Sequence, residues 1–170
     1  MNILDIQNTK YIILSSVEML IYAINIVGFI GPLLVMGITL YHLRKFPIHI
    51  FVYIFFLIVN IGINKWLKLW IRQDRPLGGK SILGEVYTGV DKYGMPSAHA
   101  QTVMYSVTYL YGTTNNITWL MTSLCIALLT IYQRWSYNRH TIVQLIMGML
   151  VGSIIAYIAN WTANYWILNK

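Results

Sequence analysis

Lys68, Arg75, His99, Arg134 and His140 border or interrupt long apolar runs in this sequence. Ionisable groups in such places are costly and need a partner or a task. On a continuous helix, Lys65, Lys68, Arg72 and Arg75 would fall within an arc of roughly 80° at about 100° per residue. Asn60 and Asn64 extend that face inward. Pro76 disfavours helix at the residue before it, which predicts a helix ending near Arg75. Taken alone, these cations fit snorkelling to a membrane interface equally well.

Two further clusters follow. Gly94-Met95-Pro96-Ser97-Ala98-His99 predicts a helix start, with Pro and Ser in capping positions and free N–H groups for a phosphate. By itself this is also how a capped helix with an interfacial histidine reads. Arg134 then precedes Arg139 and His140, and His140 and Gln144, four apart, share a helix face within hydrogen-bonding reach. A phosphate between these elements would meet cations, backbone N–H groups and two imidazoles. That array suits phosphoryl transfer, in which positioning and electrostatic stabilisation dominate. Asp74, Glu85 and Asp91 have no metal-ligand spacing, so neither a metal nor another cofactor is expected. Asp74 reads as a local charge partner of Arg75.

The elements that must position these residues are membrane helices. The chain is 57% hydrophobic and 10% charged, against about 25% charged in ordinary soluble chains. Its 170 residues suit one domain over 1–170, an all-α integral membrane helical bundle of about five transmembrane helices. The spans are expected at about 17–41, 48–70, 97–111, 117–134 and 141–166, with a polar loop at 76–96. Trp161, Tyr165 and Trp166 predict an interfacial anchor near the end of the last span. Asp5 and the absence of a basic n-region argue for a retained first span rather than a cleaved signal. Counting the crossings places all three clusters on one membrane face.

The net charge of +7 sits at the ends of apolar segments instead of forming a soluble basic face. A lipid headgroup is therefore the expected anionic partner, and nucleic acid is not. A single cysteine, Cys125, excludes an intrachain disulfide framework. Only Arg44, Lys45 and Lys170 lie opposite the site face, and the positive-inside rule would put the site face in the cytosol.

Together the clusters resemble the type 2 phosphatidic acid phosphatase superfamily, whose pattern is Lys-x6-Arg-Pro, Pro-Ser-Gly-His and Ser-Arg-x5-His-x3-Asp. Lys68-x6-Arg75-Pro76, Pro96-Ser97-Ala98-His99 and Gln133-Arg134-x5-His140-x3-Gln144 match it in order and spacing. Ala98 stands for Gly, Gln133 for Ser and Gln144 for the Asp that orients the nucleophile. The dolichyl diphosphatase subfamily resembles this chain in Tyr93-Gly94-Met95-Pro96-Ser97 and in His140-Thr141-Ile142-Val143-Gln144, so that Gln144 is a subfamily feature.

The resemblance implies a metal-independent lipid phosphatase acting on a polyprenyl phosphate or diphosphate, with His140 as nucleophile and a phosphohistidine intermediate. His99 would be general acid and then base, and Gln144 would hold the His140 tautomer. Lys68, Arg75 and Arg134 would hold the phosphoryl oxygens, assisted by N–H groups at Ser97 and Ala98 and by the Ser97 hydroxyl. It also implies an endoplasmic reticulum protein with a lumen-facing site, against the charge count. Phosphatidate, another lipid phosphate, or binding without catalysis are the alternatives left open.

Overall fold

A computed structural model describes the backbone of residues 3–169 and the side chains of residues 14–169. The expectation for Lys170 and that for the side chain of Asp5 lie outside the described residues. Five helices follow in order: α1 (Ile3–Leu43), α2 (Pro47–Ile71), α3 (Ala98–Thr114), α4 (Ile117–Ser136) and α5 (Ile142–Leu168). No strand forms among the described residues, and a short 3₁₀ turn, Gly89–Lys92, sits in the loop before α3.

Among the described residues, four helices are long and apolar enough to cross a membrane: Leu14–Leu43 of α1, then α2, α4 and α5. Many of their large apolar side chains face outward, among them Leu33, Ile58, Leu128 and Ile154, as lipid-facing positions must. α3 has only 17 residues, about 26 Å at 1.5 Å per residue. It lies inside the bundle, touching α1, α2, α4 and α5.

Hydrogen bonds and small residues hold α3 there, as expected where lipid removes the hydrophobic drive between helices. The Tyr53 and Ser106 hydroxyls are 2.7 Å apart, Tyr105 donates to Tyr53 O, and Thr113 donates to Asn160 Oδ1. On α5, Gly148 and Gly152 press directly against the α3 backbone; a Cβ at Gly148 would meet Ser97 O at 2.6 Å.

Two boundaries differ from expectation. α1 starts well before position 17, because polar residues end an apolar run without ending a helix. α2 stops at Ile71, not near Arg75; Arg72 caps it in the left-handed region (φ 51°) with its N–H on Lys68 O. The chain leaves the helix early because it pairs elsewhere. Gly94 N–H donates to Gln73 O at 2.8 Å and Asp74 bridges Tyr93, which ties the exit of α2 to the approach to α3. The single helical face running from Lys65 to Arg75 therefore does not exist. Nor is Asp74 a charge partner: no ion pair joins it to Arg75 among the described residues, and its carbonyl accepts from Gln144.

Candidate active site

The site lies where the end of α2, the start of α3, the end of α4 and the start of α5 meet under the 76–96 loop. His140 sits in the turn between α4 and α5, just before the Thr141 N-cap, and is buried. Its Nδ1 is 3.0 Å from Gly94 O and 3.2 Å from Gln144 Oε1. Gln144 Nε2 donates to Asp74 O at 2.9 Å and to Gln73 Oε1 at 3.1 Å, which fixes the amide with its oxygen toward the ring. Both neighbours of Nδ1 are therefore acceptors, Nδ1 carries the proton, and the Nε2 lone pair faces the site.

Arg75 occupies that lone pair, with Nη1 2.8 Å from His140 Nε2. The same nitrogen donates to Arg139 O at 3.1 Å, and Arg75 Nε donates to Asp91 O at 2.9 Å. Burial first, then Arg75, holds the His140 imidazole well below its ordinary pKa. Burial likewise pulls the Arg75 guanidinium down, against Tyr87 and Asp91 and together with Arg134 and Arg139.

Across the site, His99 projects from the first turn of α3. Arg134, in the last turn of α4, places Nη2 2.7 Å from His99 Nε2 and Nη1 3.3 Å from the Tyr87 hydroxyl. Arg134 is almost wholly buried, and its Nε has no hydrogen-bond partner among the described residues. Phe29 of α1 lies against both groups, its ring 5.8 Å from that of His99 and 4.9 Å from the guanidinium carbon.

Lys68 is fully buried and donates from Nζ to Asp91 Oδ1 at 2.8 Å, while the Asp91 side chain is 58% exposed. The bond from Lys68 is the largest influence holding Asp91 below its ordinary carboxylate range. Glu85 meets Arg139 at 3.7 Å. Burial would raise its pKa, but bonds from Ser81 and the Ile82 and Leu83 N–H groups bring it down to about 2.

All eight residues singled out in the sequence sit in or beside this site, although not all are free to act on a phosphate. The Ser97 N–H is spent on Gln144 O at 3.0 Å, and its hydroxyl caps α3 by accepting from Ala100 N. This corrects the expectation that the Ser97 N–H faces the anion; the hydroxyl, an acceptor in that cap, keeps its own proton to donate. Ala98, as the first helical residue, keeps an N–H that has no acceptor within its helix. Sequence reasoning missed Gln73, Tyr87 and Asp91 as parts of the site. Only the crowding of aromatic and acidic residues between two cationic motifs could have pointed to the last two.

Thus the fold and site define a multi-pass helical membrane protein that gathers two imidazoles, each facing a guanidinium, at one end of its bundle. The sequence model of the PAP2 superfamily matches residues 49–168, and the chain belongs to that superfamily. Dolichyldiphosphatase 1 of Homo sapiens is 30% identical over 139 residues, covering 72% of this chain and 56% of that protein. The Rhinolophus ferrumequinum dolichyldiphosphatase 1 is 32% identical over the same shares. Lipid phosphate phosphatase gamma of Arabidopsis thaliana is 28% identical over 127 residues, 67% of this chain and 51% of its own length. The chain thus spans about half the length of these curated relatives. A PAP2-type phosphatidylglycerolphosphate phosphatase from Bacillus subtilis shares the fold, with a TM-score of 0.56 at 15% identity over 88% of this chain and 87% of that one.

Proposed function

We propose that this chain hydrolyses a phosphate ester or anhydride of a membrane lipid, a polyprenyl diphosphate foremost, through a phosphohistidine at His140. The observation that carries the reading is the tautomer of His140. With Nδ1–H held by Gly94 O and Gln144 Oε1, the Nε2 lone pair is turned into the site, where it can attack phosphorus.

The lipid phosphate enters between Arg75 and Arg134, which turn from the two imidazoles to its oxygens; Lys68 leaves Asp91 to do the same. His140 Nε2 forms the P–N bond as the P–O bond to the leaving group breaks. His99, freed from Arg134 and protonated, gives its proton to the leaving oxygen. It then takes a proton from water, whose oxygen attacks phosphorus, breaks the P–N bond and releases inorganic phosphate. Gln144 cannot neutralise the transient imidazolium as a carboxylate would; its part is to hold the ring.

An apolar cavity of about 320 Å³ between α1 and α3 runs up to His99, lined by Phe29, Ile30, Pro32, Leu33 and Thr102. Its apolar lining suits the first units of an isoprenoid or acyl tail. Similarity to dolichyldiphosphatases at 30–32% identity favours the polyprenyl diphosphate and, with it, an endoplasmic reticulum location with a lumenal site.

The test is phosphate release by detergent-purified protein from a panel of isoprenyl diphosphates and glycerolipid phosphates, with His140→Ala beside it. Highest kcat/KM on isoprenyl diphosphates, absent in His140→Ala, supports the full reading. A preference for phosphatidate overturns the substrate, and folded wild-type protein inactive throughout overturns catalysis in favour of lipid-phosphate binding. An acid-labile, base-stable phosphoprotein trapped on rapid quenching, and missing in His140→Ala, reads the intermediate directly.

A further inference from the structure

Tyr87 lies in the 76–96 loop, between the two cationic motifs and outside both. Its side chain nevertheless meets three arginines. The Arg75 guanidinium carbon is 3.8 Å from the ring centroid and that of Arg139 is 4.7 Å away, while Arg134 Nη1 donates to the hydroxyl. Arg75 and Arg134 are the two cations that touch the histidines.

Three guanidiniums around one small site repel one another, and only Arg139 has a carboxylate, Glu85, within ion-pair distance among the described residues. An aromatic face attracts cations without forming an ion pair, so it can gather arginines and still leave their charge for an incoming anion. The loop that carries the ring is pinned to the turn preceding His140. Lys80 N–H donates to Tyr137 O, Asn138 Nδ2 to Leu77 O, and Arg139 Nε to Lys80 O.

We propose that Tyr87 is a positioning residue whose ring and hydroxyl hold Arg75, Arg134 and Arg139 convergent on the gap between His99 and His140. The proposal rests on the phosphatase reading above. Tyr87 itself forms no bond to the reacting phosphorus; it acts through the arginines. The ring matters more than the hydroxyl, since two of the three contacts are made through its face.

The experiment compares Tyr87→Phe and Tyr87→Leu with wild type in kcat, KM, inhibition by inorganic phosphate and melting temperature in detergent. Phe is expected to keep kcat/KM within about threefold, and Leu to lose at least about tenfold. In Leu the inhibition constant for inorganic phosphate rises about fivefold or more at unchanged melting temperature, a change that a merely structural loop contact would not produce. If Leu does not fold, Tyr87→Met is read by the same criteria. The proposal is overturned if the aliphatic variant stays within about twofold of wild type, or if it loses turnover without weaker phosphate inhibition. It is equally overturned if the Phe variant falls as far as the aliphatic one. An inactive wild type would sink the phosphatase reading alone, and inorganic phosphate binding by calorimetry would still compare the ring variants.

Discussion

Nη1 of Arg75 lies 2.8 Å from Nε2 of His140, so the guanidinium caps the lone pair that the proposed chemistry needs. An arginine cannot deprotonate, so this contact keeps His140 neutral, and in the proposed chemistry it gives way to a phosphoryl oxygen as the better acceptor. Arg75→Ala is expected to lower kcat by about 100- to 1,000-fold in a phosphate-release assay. Arg75→Lys keeps the charge but cannot make the Nε and Nη1 bonds together, and its loss still exceeds about tenfold.

The same environment fixes the pH dependence. His140 is held well below its ordinary value of 6.5, chiefly by burial, so it stays neutral and nucleophilic through mildly acidic pH. Gln144→Asp sets a carboxylate beside Nδ1–H, favours the imidazolium and raises that pKa. The variant should therefore show the acid limb of kcat/KM at a higher pH than wild type; superimposable profiles would refute this. Stability follows the same sign. The unfolded chain takes up a proton at about 6.5 and the fold does not, so His140 lowers stability progressively as pH drops below 6.5.

Gly94 holds His140 in two ways, through its carbonyl and through the side chain it lacks. A Cβ there would meet Gln144 Oε1 at 2.5 Å and Cδ at 2.7 Å. Gln144 cannot swing aside freely, because its amide is bound to Gln73 and Asp74. Gly94→Ala should displace the amide and release the ring tautomer, lowering kcat by about tenfold or more with KM little changed. An equal rise in KM and unchanged kcat would place the damage in binding instead.

Asp91 pairs with the Lys68 ammonium that the proposed function gives to a phosphoryl oxygen. Asp91→Asn removes the competing charge, so inorganic phosphate should inhibit several-fold more tightly. It also leaves the buried Lys68 ammonium unpaired, which should cost about 1–3 kcal/mol of stability. Inhibition constants and chemical or thermal unfolding in detergent check the two effects separately. Weaker phosphate inhibition would show that Asp91 positions Lys68 rather than competing for it.

The parts of the molecule that were legible in the sequence are those fixed by chemistry or by the bilayer. Lys68, Arg75, His99, Arg134 and His140 could be read because residue type and spacing carry the signal, and the helices because an apolar run must be long enough to cross. The exit of α2 was not legible. Pro76 restrains only Arg75, while the pairing of Gln73 with Gly94, which ends the helix at Ile71, joins residues 21 apart and leaves no local pattern. Tyr87 and Asp91 were missed for a similar reason: a loop has no period, and their roles depend on which cations fold back over them. The spent N–H of Ser97 is a tertiary effect as well, since its acceptor is the carbonyl of Gln144.

Gly148 links the bundle to the chemistry. It lies one turn below Gln144 on α5 and faces Ser97, and a Cβ there would stand 2.6 Å from Ser97 O and 3.2 Å from Ala100 Cβ. These are backbone and helix-core neighbours, so α5 must move away from α3 to admit a methyl group. That motion pulls on the Ser97 N–H bond to Gln144 O and shifts Gln144 relative to His140. Gly148→Ala should therefore lower both stability, by about 1–3 kcal/mol, and kcat, by about tenfold. Gly62 is the control: it lies on α2 with nothing within 4 Å of an added Cβ, and Gly62→Ala should leave kcat unchanged. If Gly148→Ala melts earlier yet turns over at the wild-type rate at low temperature, the α3–α5 contact supports the fold without setting the His140–Gln144 geometry.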